Sequence, residues 1–156
     1  MAHKATLNIG EKEYTIIALD YSITQQMKVD SYFPSHFPQF GQISMTLLAT
    51  DNSDLFFYEW MADYGTTKEV QIYIDVVNKG KTSSKCLHLE MVRPTFIKEN
   101  YNFLEEKQMT IQLTLTFGIM AFTSTGSRDK KATHDDANKG VIFTHWKRDY
   151  EEKNKT

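Results

Sequence analysis

Apolar and polar positions alternate with period two along most of the chain. The clearest run is Met109-Ile111-Leu113-Leu115-Phe117-Ile119, interleaved with Thr110-Gln112-Thr114-Thr116. Such a pattern predicts a long strand with core on one face and water on the other. Val70-Ile72-Ile74-Val76 opposes Gln71-Tyr73-Asp75, and Leu87-Leu89-Met91 opposes His88-Glu90. Ile43-Met45-Leu47 opposes Gln42-Ser44-Thr46, and Ala5-Leu7-Ile9 opposes Lys4-Thr6-Asn8. From Tyr14 to Ile23 the middle is apolar on both faces (Ile16, Ile17, Ala18, Leu19), which predicts a segment covered twice.

Turn chemistry separates these strands. Gly10-Glu11 leaves a hairpin-length gap, and Asn78-Lys79-Gly80-Lys81 supplies another. The exception is Ser53 to Tyr64, where Ser53 can cap, Asp54 suits a first turn and Gly65 suits a stop. Phe56, Trp60 and Tyr64 share one face of this segment, with Phe57 and Met61 beside it, so it reads as a short amphipathic helix. Six one-sided strands cannot all be covered by one helix. The sheet is therefore expected to fold on itself, as a small antiparallel β-barrel or sandwich flanked by the helix.

Two segments fall outside this pattern. Residues 30–41 form a twelve-residue stretch with Pro34 and Pro38 and the rings of Tyr32, Phe33, Phe37 and Phe40. Long loops in compact domains are uncommon and often functional, and exposed rings are costly unless something covers them. Cover by the parent fold and cover by a neighbouring chain both fit. The chain divides into a β-barrel domain over 1–126 and a polar extension over 127–156. Within the extension, Val141-Ile142-Phe143-Thr144-His145-Trp146 can dock as an added strand or stay mobile.

Composition narrows the function classes. The 156 residues carry 18 basic and 20 acidic side chains, a net charge of −2 that offers no whole-chain pull toward nucleic acid or anionic membrane. The extension holds 8 basic and 6 acidic groups, interspersed as on a solvated surface. One cysteine, Cys86, makes no intrachain disulfide, which suits a reducing compartment, and the pattern reads it as a small buried or half-buried residue. No run reaches the ~18 apolar residues of a membrane span, and Met1-Ala2-His3-Lys4-Ala5-Thr6-Leu7 lacks a secretory apolar core, so cytoplasmic synthesis is expected.

The search for chemistry comes back thin. There is no Gly-rich phosphate loop, nucleophile elbow, His-Glu-x-x-His or Cys-x-x-Cys motif. His88 and Glu90 share a strand face and could hold a metal or share a proton, yet polar neighbours are ordinary on a solvated face. His134-Asp135-Asp136 is dense in hard ligands but sits in a polar stretch, and Glu105-Glu106 reads as loop charge. The helix aromatics are explained by core packing or an intersubunit contact. No enzyme, metal or organic cofactor is expected.

The order of several motifs carries a resemblance. Ala5-Thr6-Leu7, Lys12-Glu13-Tyr14, Asp20-Tyr21-Ser22 and Gln25-Gln26 resemble the opening of the Bacteroidetes-type haemolysin-coregulated proteins, the tube subunits of type VI secretion systems. Pro34-Ser35, Thr50-Asp51 and a helix with Phe57 and Glu59-Trp60-Met61 continue the likeness over roughly residues 1–122. The resemblance implies a small β-barrel with one flanking helix, assembled as hexameric rings that stack into a tube. Its implied partners are a contractile sheath, a spike and baseplate proteins, with effector cargo in the lumen and export through the apparatus without a signal peptide. It also implies that the extended loop packs on a neighbour, with Tyr32, Phe33, Pro34, His36, Phe37 and Phe40 as interface residues. Tyr32-Phe33-Pro34 stands where the family usually carries Gly-Arg-Pro, which changes what that loop recognises. The rival reading is a monomeric barrel that binds a small molecule in its interior.

Overall fold

The computed structural model describes residues 2–29, 40–49, 54–104, 109–125 and 141–144. Eight strands and one helix follow in the order β1 (Ala2–Ile9), β2 (Lys12–Tyr21), β3 (Gln42–Leu48), α1 (Phe56–Ala62), β4 (Lys68–Asn78), β5 (Lys81–Asn100), β6 (Thr110–Thr116), β7 (Ile119–Thr125) and β8 (Val141–Thr144). Strand order is β4-β1-β2-β3-β6-β5-β7-β8, and a further β4–β5 pairing closes the first six into a ring. Every pairing is antiparallel. Closure removes the exposed edges that a small open sheet would carry.

Inside the ring lie the apolar members of the alternating runs. Leu7, Ile43, Leu47, Val70, Ile72, Leu87, Leu89 and Leu115 have no exposed surface. Each such side chain contributes about 1.5–3 kcal/mol relative to an exposed one. Among the described residues these side chains pack the interior, which weighs against the rival binding-barrel reading. Two open grooves, of about 580 and 340 Å³, instead lie on the outside among the described residues.

The expected turns form. Asn78 pairs with Lys81, leaving Lys79 (φ +51°) and Gly80 (φ +76°) as a two-residue turn with both residues left-handed. That is the type I′ geometry whose twist matches the flanking strands. Gly10 takes φ +60° at the first position of the β1–β2 turn.

Four readings need correction. The run from Met109 to Ile119 is two strands, although both lie on one edge of β5: Arg93 pairs with Thr116 and Glu90 with Ile119. At the break between them the Phe117 N–H donates to the Gly41 carbonyl and the Gly118 N–H to the Glu90 carbonyl. The double-apolar segment of β2 is not covered twice, because Ile17 is 55% exposed. The register jumps from Ile16↔Leu47 to Ala18↔Thr46, so Ile17 is the extra residue of a bulge. The apolar pattern changes face there. On β5 the inward alternation runs Leu87, Leu89, Val92, with Met91 half-exposed at φ +58°, because another bulge intervenes. Finally, His88 and Glu90 are not solvated; both faces of β5 are buried from Cys86 to Glu90. Cys86 itself is buried and packs with Tyr73.

Candidate assembly surface

The helix is shorter than the Ser53–Tyr64 segment suggests, and its docking begins at Asp54. The Asp54 carboxylate accepts from Lys12 Nζ at 3.0 Å, from the Tyr14 hydroxyl at 2.7 Å and from the Phe56 N–H at 3.0 Å. The last bond satisfies one of the orphan donors at the helix start. One residue thus ties the helix to β2. Burial pulls the Asp54 carboxyl upward, but these three donors outweigh it and hold the group below its ordinary value. Burial first, and then the Asp54 carboxylate, push the Tyr14 hydroxyl well above the ordinary tyrosine range.

Phe57 and Trp60 face inward, and the Phe57 ring lies 4.9 Å from that of Tyr14. Trp60 Nε1 donates to the Thr66 carbonyl at 3.1 Å, which fixes the chain as it leaves the helix. Gly65, at φ +102°, allows that exit. Tyr64, on the face assigned to the core with Phe56 and Trp60, is instead solvent-exposed, with the Arg93 guanidinium 5.4 Å from its ring centre.

Tyr58 faces outward from the helix toward the end of β5. It meets Glu99, which also accepts the Tyr101 hydroxyl. Burial, then Glu99, raise the Tyr58 hydroxyl; the Glu99 bond leads in raising Tyr101. Tyr101 stacks on Phe103 with centroids 6.0 Å apart and planes 3° from parallel. Phe103 is 93% exposed and Leu104 98% exposed. Tyr58, Tyr101, Phe103 and Leu104 therefore make one apolar patch rimmed by the Glu99 carboxylate. An exposed patch of this composition, aromatic and ringed by a charge, has the chemistry of an interface centre.

Of the six loop residues implied as interface, only Phe40 lies among the described residues. It packs within the protomer, 5.9 Å from both Phe117 and Phe143. Phe143 in turn meets Phe122 at 5.9 Å, and Phe122 meets Tyr21 at 6.0 Å. This aromatic cluster sits where β6 hands over to β7 and where β8 pairs with β7 through Phe122↔Val141. Tyr32, Phe33, Pro34, His36 and Phe37 lie outside the described residues, as do Ser53, Glu105, Glu106, His134, Asp135, Asp136, His145 and Trp146. The Tyr101–Leu104 patch carried no sequence signal beyond two rings and a leucine before a charged pair, and sequence reasoning missed it.

Sequence and structure comparisons agree on the relatives. Hcp1 from Flavobacterium johnsoniae superimposes with a TM-score of 0.60 at 18% identity, covering 80% of this chain and 96% of that one. A mutant form of Hcp1 from E. coli EAEC 042 gives 0.62 at 11% identity, covering 94% and 99%. A chain of the sheath–tube complex of an extracellular contractile injection system, in its extended state, gives 0.56 at 12% identity, covering 78% and 88%. No curated protein matches by sequence. At these identities the superpositions establish the fold, and the sequence supplies the family. The model of the family described as Hemolysin coregulated protein Hcp (TssD) matches residues 1–129, most of the chain, and the chain belongs to that family.

Proposed function

We propose that this structural tube subunit of the type VI secretion system assembles as six-membered rings that stack coaxially and are expelled with spike and effector proteins. In this reading the chain reaches the outside through the apparatus, without a signal peptide, and does no chemistry itself. Its family is one of structural tube proteins, and no helix among the described residues is long and apolar enough to cross a membrane.

The observation that carries ring formation is the patch of Tyr58, Tyr101, Phe103 and Leu104, whose apolar surface a single protomer leaves in water. A neighbour that covers it recovers the desolvation free energy of four large side chains, and closed cyclic symmetry gives every copy the same cover. The loop residues Tyr32, Phe33, Pro34, His36 and Phe37 supply a second contact, on the adjacent subunit or the next ring. Phe40, packed against Phe117 and Phe143, anchors the end of that loop to its own protomer.

Native mass spectrometry and negative-stain microscopy of the full chain test the proposal. The wild-type protein should give a six-subunit ring. Phe103→Ser with Leu104→Ser should yield a folded protomer that no longer closes rings, and Phe33→Ser with Phe37→Ser should weaken rings or their stacking. A wild-type chain that stays monomeric at high micromolar concentration overturns the reading.

A further inference from the structure

We propose that Glu69, His88 and Glu90 form a site for a divalent cation of the Zn²⁺ class. The site lies on the outer face of the ring and holds independently of whether the chain assembles. One ligand atom from each residue lies within 4.8 Å of the other two. His88 Nε2 and Glu90 Oε1 are already 3.1 Å apart. A cation placed between the three needs only a side-chain adjustment of less than an ångström per ligand to reach the ~2.0–2.2 Å typical of zinc with imidazole and carboxylate.

The register explains how residues from two strands converge. Val70 pairs with Leu89 and Lys68 with Val92, so Glu69 alone opposes Glu90 and Met91. The extra residue brings Glu90 beside Glu69, on the same face as His88, which pairs with Gln71. Burial makes the grouping consequential. His88 is 4% exposed and Glu90 6%, and a carboxylate so far from water requires a compensating charge. A divalent cation held by the two carboxylates and the imidazole supplies opposite charge at that point.

Entry is open. Glu69 is exposed and lines the 580 Å³ groove with Asn8, Gly10, Lys12 and Gln71, so a hydrated ion meets Glu69 first. His88 and Glu90 then replace two of its waters, and any proton on His88 Nε2 leaves to solvent as the nitrogen becomes a ligand. One imidazole nitrogen, two carboxylates and a retained water make the four-coordinate N/O set that zinc accepts. The expectation that no metal binds rested on the absence of a ligand set with credible spacing along the chain, and the β4–β5 register supplies the third ligand from another strand.

The test is calorimetric titration of the EDTA-treated, dialysed full chain with ZnCl₂, paired with Co²⁺ absorption in the visible. Wild type should bind one ion per chain that His88→Gln lacks, with a Co²⁺ band also absent from that variant; sites elsewhere on the chain cancel in this difference. Glu69→Gln changes an exposed side chain and leaves folding intact, so it decides the matter if His88→Gln misfolds. Its affinity should fall at least tenfold, since losing a ligand costs no less than disturbing the partner of one. Equal Zn²⁺ stoichiometry and affinity in wild type and Glu69→Gln overturns the site.

Discussion

Replacing Asp54 by alanine should destabilise the protomer by about 2–5 kcal/mol at neutral pH. The side chain accepts three hydrogen bonds, and each loss has a different size. The Tyr14 hydroxyl is left without its acceptor in a buried residue, at about 1–3 kcal/mol. The bond from the Phe56 N–H, made across the start of the helix, contributes ~1 kcal/mol. Lys12 is half-exposed, so its ion pair adds only ~0–1 kcal/mol after solvent screening. A double-mutant cycle with Tyr14→Phe should isolate a coupling of about 1–2 kcal/mol, because the two groups touch. The pH dependence has a definite sign. Asp54 is held below its ordinary value, so its contribution is complete above the unfolded-state pKa and is lost as pH falls through the lower folded-state one. Urea unfolding followed by far-UV circular dichroism, at fixed chain concentration, measures both. A loss below ~0.5 kcal/mol at pH 7, the range of an ordinary surface substitution, would refute the reasoning. So would a gap between wild type and variant that stays constant into acid. Because the helix carries Tyr58, the same variant should also weaken ring formation.

Phe40→Ala should cost the protomer about 1–3 kcal/mol, less than the ~3–5 of a fully buried ring, because Phe40 is only partly buried. Urea unfolding measures it, and a neutral result would free Phe40 for an interface role. Lys79→Gly should stabilise by about 0.4–1 kcal/mol by relieving a left-handed non-glycine residue in the β4–β5 turn, seen as a raised urea midpoint. Tyr101→Phe removes the bond to Glu99 at an exposed site, so it should leave the urea midpoint unchanged while changing ring affinity by native mass spectrometry.

The strands were legible because burial on one face imposes period two, and six of the eight, β1 to β6, fall on runs that alternate or nearly so. The irregularities were harder, since each leaves only a faint mark. Phe117 keeps the parity of Leu113 and Leu115, so nothing in the pattern announces that the strand breaks there. Ile16-Ile17 looks like double burial, when the second isoleucine is the extra residue of a bulge. Leu89-Met91-Val92 held a usable clue. Two neighbouring apolar residues end a clean alternation, and the bulge that reverses the inward face lies just before the second, at Glu90–Met91. The same applies to the helix, where the Asp54 carboxylate accepts the Phe56 N–H and also binds residues some forty positions earlier.

The sites followed a different logic. An aromatic ring in a sequence carries no sign of whether its own fold covers it or leaves it in water, and the described residues hold examples of both. Phe40 came from the segment that most resembled an interface, yet it joins Phe117 and Phe143. Phe103 and Leu104 came from an unremarked turn, yet they stand almost wholly in water. For His88 and Glu90 the missing information was the second face of β5. Alternation with leucine assigned them to water, because a pattern of period two reports only which residues share a face. Whether that face is covered depends on the rest of the fold. Glu69 adds a further step: it lies on another strand and meets them only through the β4–β5 register, bulge included. Convergent chemistry of this kind becomes visible when strand registers are known, so the outer faces of a closed ring are where a function-bearing cluster most easily escapes a reading of the chain alone.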